Sequence, residues 1–207
     1  MTTGTKSPVK TGALRAKAAL ARAATGDPAL QSAGTRKYDG KGAAKRSLNT
    51  TRMMALKAGG DTTAYLADSA TVFRLAPNER IRIFKEGVAA RHLDHLSARM
   101  RTSKEFLVDT LRLSRATVSR KARAEEALSQ DESERVLGME ALIGQVEVML
   151  QESGDGQPFD AAAWVASWLQ RPVPALGGKK PAEYMDSVEG QKLVAHTLAM
   201  AQSGAYA

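Results

Sequence analysis

Residues 104–123 read KEFLVDTLRLSRATVSRKAR, and how they fold decides what the chain is. Leu107, Val108, Leu111, Leu113 and Val118 are spaced to hold two short helices at a steep angle with a tight turn between them. Ser114 is placed to cap the second helix by accepting a hydrogen bond from the N–H near Thr117. That helix turns Arg115, Thr117, Ser119, Arg120, Lys121 and Arg123 outward. Such a set suits the major groove of DNA. Arginine can grip a guanine edge with two hydrogen bonds, serine and threonine reach bases or phosphates, and lysine brings a mobile charge to the backbone. In a helix-turn-helix the start of the second helix meets the bases. This gives Arg115, Thr117 and Ser119 the bases and Arg120, Lys121 and Arg123 the phosphates. An ordinary solvated basic helix is the plainer reading of the same residues. One position departs from the usual pattern: the turn residue that is commonly glycine is Arg112, which must tolerate a left-handed backbone or adopt another turn.

Helical periodicity continues on both sides, without strand-like alternation. Pro77 suits the first turn of a helix that runs through Ile81 and Phe84 and stops at Gly87. A second helix spans Val88 to Met100 with Leu93 and Leu96 inward, and a third spans Ser103 to Thr110. After Leu128, Ser129 and Glu132 form an S-x-x-E capping box that starts a long helix. Val136, Met139, Ile143, Val146 and Leu150 then recur at spacings of three and four. That seam fits a core stripe within one chain or a share in a dimer interface. Gly154 and Gly156 place a hinge at 153–157. Beyond it, Asp160 caps a helix, with Phe159 and Trp164 positioned as a hydrophobic staple. Pro172, Pro174, Gly177 and Gly178 impose a turn-rich connection, Pro181 opens a short helix through Met185, and Ser187 caps a last helix that Gly204 ends. The fold class is all-α. A basic, mainly disordered extension is expected at 1–70, a helix-turn-helix domain with its long capping-box helix at 71–152, and a small helical domain at 153–207.

Charge divides the chain the same way. Residues 1–60 carry 12 Lys+Arg against 2 Asp+Glu, residues 61–123 carry 13 against 7, and residues 124–207 carry 5 against 13, within a net charge of +8. A cationic front suits a polyanion such as DNA, and an anionic back would be repelled by it, so two ends imply two partners. The extension is poor in large apolar residues and fits either a solubilising tail or an auxiliary DNA-contacting arm built on Ala13–Arg22. The chain contains no cysteine, which excludes disulfides, thiolate metal sites and cysteine nucleophiles. No apolar run approaches the roughly 20 residues needed to span a bilayer, and no hydrophobic signal core is present, so a cytoplasmic location without membrane contact is expected.

Enzymatic chemistry finds little footing. His92 and His95, three apart on a helix, make at most an incomplete metal site, and His196 stands alone. No nucleophile elbow, P-loop or dinucleotide fingerprint is present, so no cofactor and no metal are expected in this chain.

The sequence resembles the Xre/MbcA/ParS-type antitoxins that pair with RES-domain toxins. The resemblance rests on Gly87 and the helix after it, on Leu113-Ser114-Arg115-Ala116-Thr117-Val118-Ser119-Arg120-Lys121, and on Leu128-Ser129-Gln130-Asp131-Glu132-Ser133-Glu134-Arg135-Val136. It continues in Trp168-Leu169, Ala175-Leu176-Gly177-Gly178-Lys179-Lys180-Pro181, Ser187-Val188-Glu189-Gly190 and Gly204-Ala205-Tyr206-Ala207, covering about residues 75–207. The resemblance implies a homodimer that represses its own operon through the helix-turn-helix and forms a hetero-oligomer with a toxin that consumes NAD or transfers ADP-ribose. It further implies that the C-terminal segment lies over the toxin's entrance, with toxin contacts at Trp168, Lys179, Lys180, Tyr184, Gly204, Ala205, Tyr206 and Ala207. Tyr206 offers rigid apolar area with a polar tip, a common interface anchor. Lys179 and Lys180 fit a pairing with acidic rim groups or a solvated loop equally well. The rival from another class is a stand-alone helix-turn-helix regulator whose C-terminal domain dimerises or senses a ligand. A neighbouring gene for a RES-type toxin separates the two.

Overall fold

The structure is a computed structural model that describes Leu66, residues 68–153 and residues 159–203. The expected extension lies outside these residues as far as 65, as do most of the expected hinge and the Gly204–Ala207 tail. The helices are α1 (Ser69–Arg74), α2 (Pro77–Glu86), α3 (His92–Arg99), α4 (Lys104–Thr110), α5 (Arg115–Arg123), α6 (Gln130–Ser153), α7 (Ala161–Leu169) and α8 (Val188–Ser203). Two short 3-10 turns, Pro174–Leu176 and Pro181–Tyr184, join α7 to α8. The all-α architecture is as the periodicity predicts, and the helix starts follow the capping residues. Ser103 accepts from Phe106 N–H at 3.1 Å, Ser114 from Thr117 N–H at 3.3 Å, and Asp160 from Ala163 N–H at 3.0 Å. The capping box closes on both sides, with Ser129 N–H donating to Glu132 at 2.8 Å and Glu132 N–H to Ser129 Oγ at 3.3 Å. Phe159 and Trp164 meet as the staple requires, their rings 6.4 Å apart.

α6 is the axis of the molecule. Val136, Met139, Ile143 and Val146 are fully buried, so the seam is filled from within the chain. Leu137, Leu142, Val148 and Met149 are buried as well, which spreads the apolar surface well beyond one stripe. The reason is that α6 is covered on several sides, by α1 and α2 from the N-terminal half and by α7 and α8 from the C-terminal half. Residues from Leu66 to Leu198, from before and after the expected hinge, therefore share one core cluster.

Two expectations are corrected. The extension does not reach residue 70: Leu66, Ser69 and Ala70 are buried, and Asp68 caps α1 by accepting from Ala70 N–H. α1 packs against α6 at Gly144, where an added Cβ would strike the Ser69 carbonyl. The second predicted helix also begins later, at His92 rather than Val88. Val88–Ala90 instead pair with the segment before α6: Leu128 N–H donates to the Val88 carbonyl at 2.8 Å and Ala90 N–H to the Glu126 carbonyl at 3.1 Å. This pairing needs Gly87, whose φ is 90° and whose missing Cβ would lie 2.8 Å from the Ala127 Cβ.

Candidate nucleic-acid interface and partner-binding face

α4 and α5 lie where the sequence places them, with Leu107, Val108, Leu111, Leu113 and Val118 buried beneath them. The turn does what the missing glycine demands: Arg112 takes φ 51°, a left-handed conformation uncommon for a side-chain-bearing residue. Its side chain is 78 % exposed and its guanidinium reaches Asp186 at 3.5 Å, linking the turn to the loop before α8.

The six residues of α5 expected to meet DNA divide into two sets. Arg115, Arg120 and Arg123 are exposed, and Thr117 and Ser119 are half-buried beside them. Lys121 stands apart from them. It follows the buried Val118 by three positions and so lies on the inner flank of the helix. Its side chain is 14 % exposed and its ammonium is bonded to Glu132 at 3.0 Å, tying α5 to the first turn of α6. Burial pushes the Glu132 carboxyl up, but bonds from Ser129 and Lys121 more than offset it and hold the group below the usual carboxylate range. Two of the exposed arginines are also engaged. Arg120 pairs with Glu126 at 3.0 Å, and Arg115 grips Asp109 through Nε at 3.1 Å and Nη2 at 2.5 Å. Sequence reasoning missed these carboxylates because the partners are six and eleven residues away across turns, beyond any helical spacing rule.

A polar cluster lies in the core where α1, α3 and α6 meet. Glu140 is fully buried and accepts from Ser69, from His92 Nε2 at 2.7 Å and from Arg99 at 3.2 Å. His92 is thus a buried partner of a carboxylate, while His95, expected to share its helix face, is exposed. Burial raises the Glu140 carboxyl, yet the His92 hydrogen bond, the Arg99 charge and the Ser69 hydroxyl outweigh it, so the group is held below its ordinary value.

In the C-terminal half, Trp168 is 1 % exposed and stacks on Trp164 at 5.8 Å, so its ring belongs to the core and not to a contact surface, which corrects the expectation for that residue. Lys179 and Lys180 are exposed on the tight turn after Leu176, and the Lys179 ammonium stands 6.0 Å above the half-buried Tyr184 ring. Leu193 on α8 is an apolar group left 44 % exposed. Among the described residues no helix is long and apolar enough to cross a membrane.

Residues 79–139 match the family described as the antitoxin Xre-like helix-turn-helix domain, and residues 157–204 match the antitoxin Xre/MbcA/ParS C-terminal toxin-binding domain. A Prs ADP-ribosylating antitoxin of Sphingobium sp. (strain YBL2) is 44 % identical over 153 residues, which is 74 % of this chain and 96 % of that relative. No solved structure matches. Helix order, the capped second helix of the helix-turn-helix and the C-terminal helical unit agree with both matches, and the chain belongs to the Xre/MbcA/ParS antitoxin family.

Proposed function

We propose that this antitoxin neutralises a RES-type toxin that consumes NAD or transfers ADP-ribose, and represses its own operon. The observation that carries the first part is the extent of the likeness to the Prs ADP-ribosylating antitoxin, which spans nearly all of that relative. We read the exposed Lys179 and Lys180 and the half-buried Tyr184 as one face of the toxin-binding domain. With the tail Gly204, Ala205, Tyr206 and Ala207, this face covers the toxin's entrance and excludes its substrate. The toxin supplies the cofactor chemistry; this chain supplies shape and charge. The second part rests on Arg115, Thr117, Ser119, Arg120 and Arg123, presented on a capped helix that follows a tight turn. A homodimer would set two such helices on the two halves of a palindromic operator.

The test has two arms. Co-expression with a RES-type toxin should restore growth, and removal of residues 204–207 should abolish rescue while leaving the helical circular-dichroism signal intact. Rescue by the shortened chain would refute occlusion by the tail. For DNA, Arg123→Ala should lower the salt slope of promoter binding by about one unit, as expected for one lost phosphate contact. Lys121→Ala should leave the slope unchanged, because its charge is committed to Glu132. Equal slopes for wild type and Arg123→Ala would remove Arg123 from the interface.

A further inference from the structure

We propose that Asp109 is a positioning residue for base recognition, holding one edge of the Arg115 guanidinium so that the opposite edge meets a guanine in the major groove. This rests on the reading of α5 as a recognition helix. A guanidinium carries five N–H groups in a planar fork. Asp109 takes the side-on pair, accepting from Nε at 3.1 Å and from Nη2 at 2.5 Å. The end-on pair, one N–H from each Nη, has no acceptor among the described residues. Two parallel donors of that spacing match the O6 and N7 acceptors of guanine, whereas adenine presents a donor where guanine presents O6. Arg115 is the first residue of α5, at the end of the helix that faces base edges.

Stability does not account for the pair. Arg115 and Asp109 are 64 % and 59 % exposed, and a surface ion pair of that kind contributes little to folding. Asp109 also lies in the last turn of α4, where the helix dipole disfavours a carboxylate, and it would be repelled by nearby phosphates. Its unfavourable placement is offset by what it does for Arg115. A long side chain that would otherwise sample many rotamers, and would settle on any phosphate, is fixed before DNA arrives. Asp109 thereby lowers affinity for arbitrary sequence and raises discrimination at one base pair.

The experiment measures binding of the full chain to its own promoter duplex, to duplexes in which each G·C pair is changed in turn to A·T, and to a scrambled duplex. Wild type should lose about tenfold in affinity at one guanine position, a discrimination that Arg115→Ala abolishes. Asp109→Ala should reduce that ratio to about two- to threefold while binding the scrambled duplex more tightly than wild type. Asp109→Asn, which keeps one acceptor and the shape of the side chain, should fall between and carries the test if the alanine variant misfolds. Unchanged discrimination in both Asp109 variants, or a uniform loss on all duplexes, overturns the role of Asp109. A wild-type chain that binds promoter and scrambled duplex equally overturns the recognition-helix reading itself, and this inference with it.

Discussion

Glu140 illustrates what a single buried charge does in this molecule. Its carboxylate is removed from water and survives as an anion only because Ser69, His92 and Arg99, drawn from α1 and α3, all donate to it. Because its folded value is depressed, the stability it contributes is present above the unfolded glutamate value and drains away as pH falls below about 4.3. Glu147 works in the opposite sense. Burial is the largest influence on it and raises its carboxyl despite Arg99, so its charge costs stability at neutral pH, a cost relieved as pH falls through its raised value. Glu140→Gln should therefore lose about 3 kcal/mol at pH 7, the cost of breaking a buried ion network, and should unfold less steeply with acid below about pH 4.3. Urea unfolding across pH measures both. An acid profile parallel to wild type would show that Glu140 is not the group titrating.

At the scale of elements, the closest packing joins α1 to α6. The Ser69 backbone crosses α6 where Gly144 leaves room for it, and this approach is what puts the Ser69 hydroxyl within reach of Glu140. Gly144→Ala should push the helices apart and destabilise the fold by about 1–3 kcal/mol, as overpacking in a close interface does. Thermal unfolding gives the value, and a variant as stable as wild type would mean that α1 is not docked as described. The same contact explains why α1 was not legible from the sequence. Six residues, Ser69–Arg74, are too short to show helical periodicity, and Ser69 and Ala70 look like loop residues until a partner helix covers them. The elements that were legible carry their own start signals. Ser103, Ser114, Ser129 and Asp160 each satisfy an N–H within their own first turn, a local transaction that needs no knowledge of the rest of the chain.

Across the whole molecule, the helix-turn-helix half and the C-terminal half rest on the same long helix. Leu93 and Val118 belong to one half, Trp168 and Leu198 to the other, and all join one core through α6. Calorimetry should accordingly show a single unfolding transition with equal calorimetric and van't Hoff enthalpies; two resolved transitions would mean two separately folding domains. The Arg112–Asp186 pair adds a direct contact between the turn of the helix-turn-helix and the loop before α8. What could be settled residue by residue was local: helix type from spacing, helix starts from caps, the strained turn at Arg112 from the absence of glycine, and the division of charge. Packing settled the rest. It turned Trp168 inward, committed Lys121 to Glu132, set Asp109 against Arg115 and paired Val88–Ala90 with the residues before α6. Each of these depends on which distant surfaces exclude water together, and that information exists only once the chain has closed on itself.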